Sequence, residues 1–310
     1  MKKCVGVDLG GTTVKIGILC EDGTISEKWE IPTRKEEGGK YILGDIAASI
    51  REHLAAAGLN LQEMAGVGIG VPGPVQSSGY VEVCVNLGWK DINPAEELSS
   101  LLDGVNVKVA NDANVAALGE QWMGSGKGHD QLMFFTLGTG VGGGLIIDGK
   151  IVAGSKGMGA EVGHITVNPK ETDSCNCGNK GCLEQYASAT GIVKEMKRTL
   201  DAEDGACPLR GQDFSCKDVL DAAKAGDPLA EKTVHRCMDY LALAMSYVGM
   251  IADPEVFVIG GGVSKAGNYL VDMLQKRYNE LTPLSSKKSG IFIANLSNDA
   301  GMYGAARLVL

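Results

Sequence analysis

Val5-Gly6-Val7-Asp8-Leu9-Gly10-Gly11-Thr12-Thr13-Val14-Lys15-Ile16-Gly17-Ile18-Leu19 is the stretch whose reading decides the fold. Two apolar, β-branched runs flank a Gly-Gly-Thr-Thr turn, which predicts two strands over 5–9 and 14–19. Asp22-Gly23 turns the chain into a third strand near 24–31, completing an antiparallel meander. Outward from it, Ile42, Ile46, Ile50 and Leu54 recur every four residues and predict a helix over 39–57 that ends near Gly58. A strand over 66–71, a helix over 94–102, a strand over 105–110 and a helix over 111–122 opened by Asn111-Asp112 follow, giving the order β-β-β-α-β-α-β-α.

The second half repeats the theme. Strands over 132–137 and 141–147 surround a glycine-rich bend, and Asp148-Gly149 turns into 150–153. Val234, Cys237, Met238, Leu241, Met245, Val248 and Ala252 form one stripe of a helix over 229–252, read as core packing. Glu231, Lys232, Arg236 and Asp239 exclude a membrane span there. A short buried strand over 256–259 meets Gly260-Gly261-Gly262, a closing helix covers 301–310, and the aperiodic 201–216 reads as a surface insertion.

The chain has 310 residues, 44 of them glycine, about 14% against an ordinary share of about 7%. With 44% hydrophobic and 22% charged residues and no Gly-X-Y period, collagen and a disordered linker are excluded. At roughly 150 residues per domain the length suggests two domains. The formal net charge is −9 and no Lys/Arg run appears, so nucleic acid is not an expected partner. No apolar run approaches the roughly 20 residues of a membrane span, and a cytoplasmic, soluble protein is expected. Nine cysteines without a signal peptide argue against a disulfide framework and for metal or burial.

Two motif matches fail on context. Gly138-Thr139-Gly140-Val141-Gly142-Gly143 fits the dinucleotide fingerprint, yet a strand follows it where a helix is required. Gly144 to Lys150 fits a P-loop, but Ile151 stands where a hydroxyl would meet Mg²⁺. A glycine loop between antiparallel strands still binds phosphate, because successive backbone N–H groups form an anion nest and absent side chains permit close approach. Asp8 with Gly10, Gly11, Thr12 and Thr13 adds a carboxylate suited to Mg²⁺, held directly or through water. Gly138, Thr139, Gly140, Gly142 and Gly143 form a second such loop, and Gly261-Gly262 a third stretch suited to nucleotide. Two facing hairpins can clamp a triphosphate such as ATP; tight turns that require φ > 0 are the competing explanation.

Cys175-x-Cys177-x4-Cys182, with Gly178 and Gly181 allowing a tight reversal, brings three thiolates together. His164 is the natural fourth ligand of a closed Cys₃His structural zinc site, against three unrelated buried thiols. The loop is expected to fold only with metal, whose binding contributes on the order of 10–16 kcal/mol by analogy with zinc-finger peptides. Glu161 precedes His164 by three residues and Glu184 follows Cys182 by two, so a metal there would pin two carboxylates near each other. Each carboxylate alone also reads as a solvated surface charge. Asp112 opens a predicted helix after a buried strand, where helix capping competes with a chemical role.

Asp8-Leu9-Gly10-Gly11-Thr12, Gly70-Val71-Pro72-Gly73-Pro74, Asn111-Asp112-Ala113-Asn114, Glu161-Val162-Gly163-His164 and the Cys175 to Glu184 segment together resemble the ROK family of repressors and sugar kinases. That family lies in the sugar-kinase, actin and heat-shock ATPase superfamily. The resemblance implies an α/β fold of two ribonuclease-H-like, actin-like ATPase lobes with a central cleft and a structural zinc loop. One lobe would comprise 1–112 plus about 298–310, and the other 113–297 with the zinc loop at 164–184.

It further implies ATP- and Mg²⁺-dependent phosphorylation of the 6-hydroxyl of glucose, with Asp112 as general base and Asn111 on a neighbouring sugar hydroxyl. Glu161, His164 and Glu184 would contact the hexose, Gly73 would border it, and Asn86 would lie in the sugar-side loop of Asn86-Leu87-Gly88-Trp89, where the aromatic can equally pack. Zinc would sit on His164, Cys175, Cys177 and Cys182. Lobe closure with hinges near Asn111 and the C-terminal helix, and a homodimer, are implied as well. Kinases for N-acetylmannosamine, N-acetylglucosamine, fructose or allose, and polyphosphate as donor, stay open. A sugar-sensing repressor would place a helix-turn-helix before the hairpin, which here begins by residue 5; an actin-like ATPase without sugar is disfavoured by the cysteine loop and Glu-x-Gly-His.

Overall fold

Strand β1 (Lys3–Leu9) runs antiparallel to β2 (Thr13–Cys20) with Asp8 opposite Lys15 and Leu9 opposite Val14, so the connection is the Gly10 to Thr12 turn. The computed structural model describes residues 1–284 and 288–310. Strand β3 (Ile25–Pro32) completes the meander and alternates half-buried with exposed residues, as an outer strand with one covered face does. A single turn, α1 (Glu36–Gly39), precedes α2 (Ile42–Ala56), whose Ile42, Ile46, Ile50 and Leu54 are all buried. Burying each of these is worth about 1.5–3 kcal/mol, which holds the helix on the sheet.

Strand β4 (Val67–Val71), buried throughout, pairs parallel with β1. The four-residue strands β5 (Val81–Cys84) and β6 (Trp89–Ile92) form a separate antiparallel hairpin. Strands so short, with two exposed residues apiece, show no alternation, so the sequence predicts no strands here. Helix α3 (Pro94–Leu101) and strand β7 (Val107–Asn111) follow, and the first sheet has the order β3-β2-β1-β4-β7. Parallel pairing sets Asp8 opposite Gly70, Gly70 opposite Ala110 and Val71 opposite Asn111. The carboxyl ends of β1, β4 and β7 therefore open on one edge, where ligands bind in open α/β sheets.

Helix α4 (Asp112–Met123) leads to β8 (Leu132–Leu137), β9 (Val141–Ile147) and the two-residue β10 (Lys150–Ile151). Helices α5 (Glu184–Ala187), α6 (Ala189–Ala202), α7 (Cys216–Lys224) and α8 (Pro228–Ala252) follow. Strand β11 (Val256–Gly260), helix α9 (Asn268–Leu281), strand β12 (Gly290–Ile293) and helix α10 (Ala300–Arg307) close the chain. The second sheet, β10-β9-β8-β11-β12, repeats the first: a meander, then two parallel strands. The expected stripe on α8 is buried from Val234 to Val248. No helix among the described residues is long and apolar enough to cross a membrane. The aperiodic 201–216 is tied down by Arg210, which donates to the carbonyls of Leu200, Glu203 and Gly205.

The chain divides into two units, one of Met1–Asp130, Gly144–Ala160 and Asn295–Leu310, the other of Gln131–Gly143 and Glu161–Ala294. These limits differ from the sequence reading, which cut at residue 112. Helix α4 belongs with the first unit because it packs on α10 at glycine contacts: Gly119 meets the Ala300 carbonyl and Gly304 meets that of Val115. On the first sheet, Gly6 and Gly68 likewise lie against the α10 backbone. A side chain at any of the four would hold the helix away. Part of the glycine excess is thus core packing in the first unit.

Candidate functional site

The edge of the first sheet gathers Asp8, the Gly10 to Thr13 turn, Gly73, Asn111 and Asp112. Asp8 is half-buried near the end of β1, and its carboxylate accepts no hydrogen bond among the described residues. Burial pushes its carboxyl up to about 6, with Lys15 pulling it down and Asp112 and Asp299 adding to the rise. Gly301 lies against it, close enough that a β-carbon there would come 2.7 Å from the Asp8 Cγ. In the turn, Gly10 N–H donates to the Thr13 carbonyl at 3.0 Å and Thr33 Oγ1 donates to the Gly10 carbonyl at 2.7 Å. No described residue accepts the N–H of Gly11 or Thr12, so two donors remain available.

Strand β7 ends at Asn111, which caps α4: its Oδ1 accepts from Asn114 N–H at 3.1 Å. Asn111 Nδ2 donates to the Gly73 carbonyl at 3.1 Å and to Asp112 Oδ1 at 3.0 Å. The cap therefore belongs to Asn111, which removes capping as the explanation of Asp112. Asp112 Oδ1 also accepts from Ala113 N–H at 2.8 Å, while Oδ2 takes no hydrogen bond from the described residues. Burial raises the Asp112 carboxyl above the usual carboxylate range, against hydrogen bonds from Ala113 and Asn111 that lower it. Gly73 holds φ at 123°, a conformation that requires glycine. The Cys84 thiol donates to the Pro72 carbonyl at 2.6 Å. Asn86 is exposed, whereas Trp89 is buried with Nε1 donating to the Gly39 carbonyl at 3.2 Å, so that aromatic packs.

In the second unit, the ligand atoms of His164, Cys175, Cys177 and Cys182 all lie within 4.8 Å of one another. His164 ends a 3₁₀ turn over Val162–His164. The cysteine loop reverses at Gly178 and Gly181, with φ of 87° and 72°. Cys177 and Cys182 Sγ are 3.7 Å apart and Cys175 Sγ is 3.9 Å from His164 Nδ1. Ligands at about 2.3 Å from a tetrahedral zinc sit about 3.8 Å apart, so this donor set fits that ion. Beneath the loop, Arg198 donates to both oxygens of Glu171 at 2.7 and 3.1 Å, and Tyr186 Oη donates to Oε2 at 2.5 Å. Those bonds hold the Glu171 carboxyl well below its usual range.

Glu184, just after the last cysteine, accepts Val141 N–H on Oε2 at 3.0 Å, and its Oε1 is 3.9 Å from Cys175 Sγ. Glu161 is half-buried and opens the His164 turn. In the second glycine loop, Gly138 N–H donates to the Gly140 carbonyl at 3.0 Å, and strand β9, which contains Gly142 and Gly143, follows where a dinucleotide fold needs a helix. Gly261, with φ of 83°, packs on the Leu137 backbone, which sets the Gly261-Gly262 turn beside this loop. None of Gly10, Gly11, Gly138 and Gly140 has a positive φ, which corrects the tight-turn explanation. A β-carbon on Gly11, Gly138 or Gly262 would meet nothing within 4 Å, while one on Gly140 would strike the Glu184 carboxylate. Sequence reasoning missed the contacts of Cys84, Glu171 and Arg198, which carry no motif and meet their partners over sequence distances no spacing reveals.

The sequence model of the ROK family matches residues 4–310. The chain belongs to the ROK family. Its fold is that of the ROK sugar kinases, a mixed α/β arrangement of the actin-like ATPase kind. This ROK protein is 40% identical to a glucokinase of Halalkalibacterium halodurans, over 98% of this chain and 94% of that one. It is 37% identical to a glucokinase of Thermotoga maritima, over 99% and 97%. Among solved structures it is similar to a ROK family glucokinase from Streptomyces griseus in complex with glucose and AMPPNP, at 33% identity and a TM-score of 0.75, covering 99% of this chain and 98% of that chain.

Proposed function

We propose that this ROK protein transfers the terminal phosphoryl group of ATP to the 6-hydroxyl of glucose, with Asp112 as general base. The observation that carries the reading is the Asp112 carboxylate: Oδ1 is fixed by Ala113 N–H and Asn111 Nδ2, and Oδ2 is left to accept a proton. The glucose oxygen attacks the γ-phosphorus in line, its proton passes to Asp112, and the bond to the bridging β–γ oxygen breaks to release ADP. Such a transfer asks the protein mainly for positioning and for donors that meet developing charge. The free amides at Gly11 and Thr12 and at the Gly138 loop suit the phosphates. Similarity to two bacterial glucokinases and to one solved with glucose and AMPPNP supports the substrates.

Asp8, a carboxylate without a protein donor, suits Mg²⁺ held directly or through water; the ion would neutralise phosphate charge. His164, Cys175, Cys177 and Cys182 would hold a structural zinc, whose bonds to four side chains of one short stretch would stabilise that fold. Glu161, His164 and Glu184 are proposed to accept and donate hydrogen bonds to the hexose hydroxyls. Gly73 would border the sugar, while Asn111, with both amide hydrogens engaged, would offer a sugar hydroxyl only its oxygen. Asp112→Asn is expected to keep AMPPNP and glucose binding while kcat falls about 10²–10⁴-fold, the scale of a lost general base. Near-normal turnover in that variant would overturn the assignment. A coupled assay over glucose, fructose, allose and the N-acetylated hexosamines, with ATP and polyphosphate, tests the substrate pair; glucose with ATP should give the highest kcat/KM.

A further inference from the structure

The carbonyls of Gly138, Thr139 and Gly140 are all taken up by protein donors. Ala189 N–H donates to the Gly138 carbonyl at 2.8 Å, and Thr190 Oγ1 donates to the Thr139 carbonyl at 2.7 Å across 51 residues of sequence. Gly140 gives its carbonyl to Gly138 N–H, and Val141 gives its N–H to Glu184. The C=O and N–H of a trans peptide point in opposite directions. Tying down the Thr139 carbonyl therefore aims the Gly140 N–H away from α6, and tying down that of Gly138 does the same for the Thr139 N–H. No described residue accepts either N–H. Thr190 is itself held by its place in the first turn of α6; its Oγ1 lies 3.0 Å from Ser188 Oγ, but both hydroxyl hydrogens are already given to carbonyls. Buried Ser188 accepts Gly191 N–H as the α6 cap and donates to the Glu184 carbonyl at 2.6 Å.

We propose that Thr190 is a positioning residue of the nucleotide site, its hydroxyl fixing the peptide plane whose Gly140 N–H meets a phosphate oxygen of ATP. Without it the Thr139–Gly140 peptide can rotate and present a carbonyl dipole to a polyanion. The proposal rests on the reading of the Gly138 loop as a phosphate binder. Ala189 performs the equivalent task with backbone alone, so Thr190 is the side chain through which this grip can be altered.

The test is Thr190→Val, which keeps the shape and removes the hydroxyl, beside Thr190→Ser, which keeps the hydroxyl. AMPPNP affinity is measured by titration calorimetry, and KM for ATP and for glucose by coupled assay. Loss of one hydrogen bond predicts that the valine variant binds AMPPNP roughly threefold to tenfold more weakly. KM for ATP should rise in proportion, with KM for glucose and Tm unchanged, and the serine variant should be restored towards wild type. Wild-type affinity in the valine variant overturns the proposal, as does an equal rise in both KM values with a lowered Tm. A serine variant as weak as valine also overturns it. If the wild-type chain binds no AMPPNP, the phosphate-loop reading fails first and takes the proposal with it; the wild-type titration separates the two failures.

Discussion

At the scale of single residues, the candidate site keeps carboxylates where they are costly. Burial holds the Asp8 carboxyl at about 6, whereas an unfolded chain releases that proton near about 3.9. Between these values the folded state binds the proton and the unfolded state does not, so stability falls as pH rises from about 4 to about 6, by roughly 3 kcal/mol. Asp8→Asn is expected to remove that slope. Urea unfolding should find the variant more stable than wild type at pH 8 and equal to it at pH 4, while kinase turnover drops. The same gap at both pH values would show that Asp8 titrates elsewhere. A residue kept ionisable at the expense of stability is what a cation-holding carboxylate requires. Asp8 and Asp112 were legible in the sequence because each borders a strand end and a glycine or helix start. Their burial was not legible, since it depends on α10 packing Gly301 against Asp8.

At the scale of elements, Gly138 and Gly140 of the loop proposed to meet phosphate separate two causes that sequence alone merges. Gly138 has open space where a β-carbon would go, and Gly140 has the Glu184 carboxylate there. Gly138→Ala should therefore leave Tm unchanged and weaken AMPPNP binding by narrowing the approach of phosphate to backbone. Gly140→Ala should lower Tm by displacing Glu184 from Val141 N–H. Thermal unfolding and titration of both variants decide this; an equal loss of Tm in the two would remove the distinction. The meanders and long helices were readable from periodicity, because runs such as Ile42 to Leu54 repeat a helical period. The β5–β6 hairpin was not readable, because its four-residue strands are paired by the turn at Leu87-Gly88 and by Trp89 burying against Gly39.

At the scale of the whole molecule, each of the two five-stranded sheets is a meander followed by two parallel strands, and all four proposed metal ligands lie within the second unit. Chelation of the metal is expected to raise hydrogen exchange over 164–184 and the adjoining Glu184–Ala187 helix while β1 and β4 keep their protection. Exchange that rises equally in β1 would mean that the loop is not an independent metal-dependent element. Spacing of residues along the chain was enough to mark the cysteine knuckle, the Asn-Asp pair and the glycine turns. Each is a local pattern in which chemistry and geometry are written within a few residues. Only the folded chain assigned the cap to Asn111 and so left Asp112 an oxygen without a partner. Only packing showed that Gly6, Gly68, Gly119 and Gly304 serve the seating of a helix, and only the tertiary contact of Thr190 with Thr139 revealed how the loop is aimed. Local motifs are read from neighbours in sequence, whereas burial, close approach and the direction of a peptide plane are set by residues that meet only when the chain has folded.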